Sequence, residues 1–358
     1  MRIGIDAREL AGRATGAGRY LGGLLREWAA DDRVRRHDFI LYASDRLNVE
    51  LDSHRFTTRQ VAGPPGTWWE QVLLPKAAAA DELDVFFAPA YTAPLQLKVP
   101  LVAAIHDISY VAHPEWFRTR EGVRRRWLTR QTAKRARAVI TISEFSRREL
   151  VARLGVPESR INVIPPGVMS APCASARAPE ERVLFVGSIF NRRHVPDLVR
   201  AFARVARCRA GVSLDLVGDN RTYPHEDLPR TILSEGLGDR VRWHQYVSDE
   251  RLRELYSRAR AFAFLSEYEG LGLTPLEALA AGVPPVLLDT VVARESCGDA
   301  ALYVPPGDLA ETARALERVL DDEPTRIRLL AAAPAVLAKY SWPDAAGRTL
   351  ALIERSGA

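Results

Sequence analysis

Short apolar runs alternate with helical patterns along almost the whole chain. RIGID, DFILYA, DVFFAP, LVAAIHD, AVITIS and NVIPPG form one series; RVLFVGS, SLDLVGD, VRWHQY, AFAFLSE and PPVLLD form a second. Strand and helix in strict alternation require crossover connections, so each series predicts a parallel sheet covered by helices on both faces. The series are separated by GVMSAPCASARAPEE, residues 167–181, which is rich in Ala, Pro and Ser and has no apolar period. A chain of 358 residues is also too long for one ordinary core. The expected architecture is therefore α/β with two doubly wound, Rossmann-like domains, 1–168 and 181–342, joined by a linker over 169–180. In SWPDAAGRTLALIERS, Ser341 reads as a cap with Trp342 and Pro343 in the first turn. This final helix, 343–358, is assigned to the first domain. Ligands of such sheets lie beyond the carboxyl ends of the strands, and a cleft faced by both sheets is the expected site.

The composition, 47% hydrophobic and 27% charged, is that of a globular protein. The start, MRIGIDAREL, lacks a charged-then-apolar leader profile, and no apolar run approaches bilayer length, so a cytoplasmic location is expected. Cys173, Cys208 and Cys297 are far apart and do not make a zinc or disulfide pattern. The net charge is only +5, but Arg118, Arg120, Arg124, Arg125, Arg126, Arg130, Lys134, Arg135 and Arg137 crowd one segment around Trp127. Two readings of 118–137 stand side by side. It is the solvated face of an arginine-rich helix, or it docks on anionic lipid at the inner face of the membrane or on an acidic acceptor. A nucleic-acid partner is not expected, because the segment carries no reading motif.

SEYEGLGLTPLEALAAG holds the most chemistry. A buried strand runs into a glycine-containing loop, a helix is expected to start near Pro275, and Gly282 stops it. Such a helix start presents unpaired amides and a positive dipole end, so Gly270, Leu271, Gly272 and Leu273 suit a diphosphate. Glu269 and Glu277 bracket the loop. An ionised carboxylate accepts hydrogen bonds from sugar and ribose hydroxyls. Glu277 has a second reading, since Thr274-Pro-Leu-Glu277 spells a capping box. After the RVLFVGS strand, Arg192 and Arg193 precede another helix, where two guanidiniums can clamp a diphosphate or simply be surface charge.

EGLGLTPLEALAAG resembles the E-x7-E signature of the retaining glycosyltransferases of the GT-B fold, family 4 (group 1), which include bacterial mannosyltransferases and sucrose and glycogen synthases. The similarity extends to TGAGRY, HDISYVAHPEWF, ITISEF, VGSIFNRRHVPDL, VSDERLRELY and GDAALYVPPGD. The resemblance implies that Glu269 contacts the donor sugar, Glu277 holds the nucleotide ribose, and the amides of 270–273 meet sugar and diphosphate. It implies that Arg193, at the usual lysine position, neutralises the leaving diphosphate. Ser188 stands where many members have an arginine, which leaves Arg192 as a substitute. The N191-RRH sequence is similar to the R-K-N loop of members that use mannose-like or deoxyhexose donors, GDP-mannose among them. The resemblance also implies a donor-contacting role for His106, and a loop at Gly16 and Gly18 that closes over donor phosphate or acceptor. It seats the nucleobase near Tyr246 and Val247, with Asp219 and Asn220 rimming the site.

The residues themselves keep alternatives open. His106 and Asp107 end a strand at the site edge, yet a lone histidine also serves structure. Gly16, Gly18 and Gly22 imitate a dinucleotide fingerprint, but DARELAGRA separates them from their strand, against a nicotinamide oxidoreductase. Asp219, Asn220, Tyr246 and Val247 also read as plain turns. A glycosidase using Glu269 and Glu277, or a silent nucleotide-sugar-binding protein, are the remaining rivals. The expected function is retaining transfer of a hexose or deoxyhexose from a nucleotide diphosphate sugar to a glycan or lipid-linked acceptor. No carboxylate pair has metal-ligand spacing, so no metal and no cofactor are expected.

Overall fold

The computed structural model describes residues 1–12, 16–47, 55–168 and 180–358. The linker over 169–179 and Cys173 lie outside the described residues. The chain divides into two compact units: Met1–Pro114, Thr119–Gly167 and Tyr340–Ala358 form the first, and Glu115–Arg118 with Val168–Lys339 form the second.

The first unit holds a seven-stranded parallel sheet. Its strands are β1 (Arg2–Asp6), β2 (Asp38–Ala43), β3 (Phe56–Gln60), β4 (Val85–Ala88), β5 (Leu101–Ala104), β6 (Ala138–Thr141) and β7 (Ile161–Val163), in the order β3-β2-β1-β4-β5-β6-β7. Central strands are buried on both faces, which is why they read as apolar runs rather than alternating ones. The edge strand β3, FTTRQ, is mostly exposed and has no such signal. The last helix, Trp342–Gly357, starts at Ser341, whose hydroxyl accepts from the Asp344 amide at 3.3 Å. It packs on this unit because Trp342 fits only against glycine. A methyl group on Gly23 would lie 2.3 Å from the Trp342 ring, and one on Gly167 would lie 2.2 Å from it.

The second unit has a six-stranded parallel sheet of β8 (Arg182–Val186), β9 (Ser213–Val217), β10 (Val241–His244), β11 (Ala261–Phe264), β12 (Pro285–Leu288) and β13 (Leu302–Val304), in the order β10-β9-β8-β11-β12-β13. The helix Val195–Cys208 covers it with Val195, Leu198, Val199, Phe202 and Val205, a helical stripe of buried side chains.

In each unit the strand order reverses beside its first strand, between β1 and β4 and between β8 and β11. Crossovers leave these two strands in opposite directions, opening a crevice at their carboxyl ends. The loops after β8 and β11 carry Arg192, Arg193 and Glu269.

Candidate functional site

Backbone conformation brings the β8 and β11 loops together. Gly187, the residue after β8, has φ +143°, and a Cβ there would sit 2.6 Å from the Arg193 guanidinium. Gly218, after β9, has φ +144°, and its Cβ would lie 2.0 Å from the Gly187 carbonyl oxygen. Only glycine lets these two strand ends touch. The chain then makes a short turn, Asn191–Arg193, before the helix at Val195.

That turn is laced to the loop after β11. The Glu267 amide donates to the Arg192 carbonyl at 2.9 Å, and Arg192 Nε donates to the Tyr268 carbonyl at 3.1 Å. Arg193 Nε donates to Glu269 Oε1 at 2.8 Å, and Ser266 Oγ donates to the same oxygen at 2.9 Å. Arg193 Nη1 is held by the Ser188 carbonyl at 2.8 Å, and its guanidinium lies 4.9 Å from the Phe264 ring centre. Burial alone would push the Glu269 carboxyl up; Arg193 and then Arg192, with the bonds from Arg193 and Ser266, hold it below the usual carboxylate range. Glu269 is therefore a carboxylate at neutral pH.

The inventory of atoms matters more than the pairing. Glu269 Oε2 accepts no hydrogen bond from the described residues, and neither terminal nitrogen of Arg192 nor Nη2 of Arg193 donates one. Two cations face one anion at the mouth of a helix, so the local charge is positive and several donors have no acceptor among the described residues.

The helix runs from Leu273 to Ala280 and is capped by Gly272 at φ +87°, with no side-chain cap. This corrects the start near Pro275 and the capping box. The left-handed conformation of Gly272 opens the helix earlier, and Glu277 instead accepts from the Tyr256 hydroxyl at 3.2 Å. The first amides of such a helix have no intrahelical partner. The Thr274 hydroxyl in its first turn is buried and has no hydrogen-bond partner among the described residues. Gly270 and Leu271 lie buried in the approach to it.

Asp219 and Asn220 join this cluster through the backbone. The Ile189 amide donates to the Asp219 carbonyl at 2.8 Å, and the Arg221 amide donates to the Ile189 carbonyl at 2.8 Å. The Asn220 side chain is consumed by its own loop, accepting from the Thr222 amide at 3.1 Å and donating to the Glu226 carbonyl at 2.9 Å. Tyr246 stands exposed after β10, with Val247 half-buried next to it.

The first unit holds the remaining residues. Gly16 and Gly18 belong to the first turn of the helix Gly16–Ala30 rather than to a loop, with residues 13–15 outside the description. His106 is buried at the end of β5, its ring edge-on to Tyr20 and Tyr91, and its Nε2 lies 2.8 Å from the Pro89 carbonyl. A carbonyl only accepts, so Nε2 carries the proton. Burial pushes the imidazole pKa down, against the Pro89 bond and the charges of Asp107 and Glu9, so the ring is neutral at pH 7.

Two sequence profiles match the chain: Glycosyltransferase Family 4 over residues 14–170 and Glycosyl transferases group 1 over residues 174–336. The alpha-D-kanosaminyltransferase of Streptomyces kanamyceticus is 31% identical over 278 residues, spanning 72% of this chain and 71% of that one. The chain is a group 1 glycosyltransferase. The O-antigen chain mannosyltransferase B of Escherichia coli is 26% identical over 74% of this glycosyltransferase and 73% of its own length. In fold it is similar to Anabaena Alr3699/HepE solved in complex with UDP-glucose (TM-score 0.78, 18% identity, 99% of this chain and 100% of that one). It is also similar in fold to WaaG, a glycosyltransferase involved in lipopolysaccharide biosynthesis (TM-score 0.76, 16% identity, 99% of each).

Several residues with buried polar groups are not evident from motifs. Ser266 and Thr274 are too ordinary as residue types to stand out. Asp6, Arg8 and Glu70 meet at the end of β1. Arg8 Nη2 lies 2.8 Å from Asp6 Oδ2 and 2.5 Å from Glu70 Oε1, and Thr92 Oγ1 donates to Glu70 at 2.5 Å. Asp6 and Glu70 are each 2% exposed. Burial raises the Asp6 carboxyl, Arg8 lowers it and Glu70 raises it again, leaving it pushed up to about 6. A raised carboxyl pKa means that the folded state holds a proton that the unfolded chain has lost. Stability from this group is therefore present below its unfolded value and falls as pH rises through 6. Chemical denaturation between pH 4 and 7 should show this decline in the wild type, and Asp6→Asn should flatten it; an unchanged pH slope in the variant contradicts the assignment.

Proposed function

We propose that this glycosyltransferase moves a hexose from a nucleoside diphosphate sugar to a glycan or lipid-linked acceptor with retention of configuration, without a metal or any cofactor beyond the donor itself. The Arg192–Arg193–Glu269 cluster carries the reading. Its unspent guanidinium nitrogens suit the diphosphate, together with Ser188, the amides of Gly270–Leu273 and the Thr274 hydroxyl. The unspent Oε2 of Glu269 suits a sugar hydroxyl. Glu277 takes the ribose, with Asp219, Asn220, Tyr246 and Val247 around the base. The family resemblance assigns a donor contact to His106 and a phosphate or acceptor role to Gly16 and Gly18.

Charge grows on the diphosphate as the glycosidic bond breaks, and the arginines are already in place to meet it. One such preorganised donor contributes about 3 kcal/mol to barrier lowering. The departing phosphate then takes the acceptor proton. A mannose-like sugar, GDP-mannose first, is supported by the likeness to the O-antigen mannosyltransferase. A thermal-shift panel of GDP, UDP, dTDP and ADP with their sugars, followed by transfer assays, tests this. Guanine nucleotides should raise the melting temperature, since a ligand at a hundred times its Kd stabilises by about 2.7 kcal/mol. A response to another base alone overturns the GDP-mannose reading, and turnover only after metal addition overturns metal independence.

Docking of the helix Thr119–Arg135 on an anionic membrane belongs to the same proposal. Val123 and Trp127, one turn apart, are 52% and 55% exposed among the arginines. No helix among the described residues is long and apolar enough to span a bilayer, but an exposed Trp flanked by cations suits the interface of a cytoplasmic leaflet. Flotation with phosphatidylserine vesicles should carry the protein upward and lose it in Trp127→Ala with Arg124→Ala; equal flotation with neutral vesicles would remove the idea.

A further inference from the structure

His194 closes the Asn191–Arg193 turn in a conformation few side chains adopt. It has φ +46° and ψ +40°, and it stands as the residue before the helix Val195–Cys208 without capping it through its side chain. A left-handed non-glycine residue is strained and is held there by its surroundings. The surroundings are specific. The imidazole Nε2 is bonded to the Glu267 carboxylate, and Nδ1 lies 3.5 Å from Asp197 Oδ2. Asp197 is itself anchored by Arg200 Nη1 at 2.7 Å. The Leu198 amide bonds the His194 carbonyl at 2.9 Å, tying the same residue into the helix.

Glu267 is two residues before Glu269, and its amide already donates to the Arg192 carbonyl. The His194–Glu267 bond is thus the last rung of a ladder whose others are Arg192 to Tyr268 and Arg193 to Glu269. It is the rung that ties the ladder to a rigid helix. We propose that His194 is a positioning residue, a strut between the helix at Val195 and the loop after β11 that fixes the aim of Arg192 and Arg193. The proposal rests on the reading of those arginines as the diphosphate clamp, and it assigns to His194 no contact with substrate.

Asparagine tolerates the left-handed conformation but is too short to span to Glu267, so His194→Asn removes the strut without adding strain. Glu267→Ala removes its other end, and Glu267→Gln keeps an accepting oxygen. In hydrogen exchange without ligand, His194→Asn and Glu267→Ala should each raise exchange in 190–194 and 265–270 together, with Glu267→Gln near wild type. With the nucleotide sugar selected by the panel, kcat should fall about tenfold in the first two variants with KM for the donor little changed, and Glu267→Gln should restore it. Exchange rising only around the mutated residue overturns the strut, as does unchanged kcat in Glu267→Ala. A role confined to folding would lower Tm and leave kcat of the folded enzyme intact. Failure of the wild type to bind any nucleoside diphosphate would instead strike the functional reading, while the exchange result would still decide the strut.

Discussion

Glu269→Gln is expected to fold and to lose transfer activity by at least about a hundredfold. The carboxylate is held between Arg193 and Ser266, so glutamine keeps the shape and an accepting oxygen but removes the charge that balances two guanidiniums. A preorganised group facing developing charge lowers the barrier by about 3 kcal/mol, which corresponds to that loss. Steady-state assays should place the effect in kcat, with turnover near normal contradicting the role. A second signature is pH. The carboxyl lies below its usual range when folded, so its contribution to stability is complete above the unfolded value and is lost as pH falls through the folded one. The stability gap between wild type and Glu269→Gln should therefore narrow in acid.

Gly218→Ala should be among the most destabilising single changes at the site, although the residue touches no ligand in this account. Two penalties coincide: φ is +144°, where a side chain is strained, and the added methyl would lie 2.0 Å from the Gly187 carbonyl oxygen, which is backbone and cannot rotate away. About 3 kcal/mol is expected, which lowers Tm by roughly 5–10 °C in a unit of this size. Gly282→Ala is the control. It has φ +76° with nothing within 4 Å of the added atom, so only the conformational cost of about 1 kcal/mol remains. Equal melting temperatures for the two variants would show that the close approach of the β8 and β9 loops does not matter.

Buried parallel strands announce themselves, and eleven apolar runs read from the chain coincide with strands of the two sheets. β3 and β13 do not. The first is an exposed polar edge, and the second, LYV, is too short to carry a period. Glu269 and the two arginines were legible because charged residues at strand ends in glycine-containing loops have few structural uses. Thr274 and Glu277 imitate a capping box and so suggest a start near Pro275, whereas Gly272 takes a left-handed turn that sequence spacing does not reveal. Gly16 and Gly18 suggest a loop in the sequence yet open the helix Gly16–Ala30, because glycine signals permission, not conformation. The Asp6–Arg8–Glu70 cluster is not legible in the sequence, since Glu70 reaches Asp6 and Arg8 only through the tertiary fold.

The central claim, that Arg192, Arg193 and Glu269 form the donor site, is tested most directly by calorimetric titration of GDP and UDP. Wild type, the Arg192→Ala/Arg193→Ala double variant and Glu269→Gln are compared. One nucleotide should bind the wild type, and the double variant should lose about a hundredfold or more in affinity. Glu269→Gln should bind the free diphosphate at least as tightly as wild type, because a negative charge beside it is gone. Undiminished binding by the double variant would show that the arginines do not hold the diphosphate.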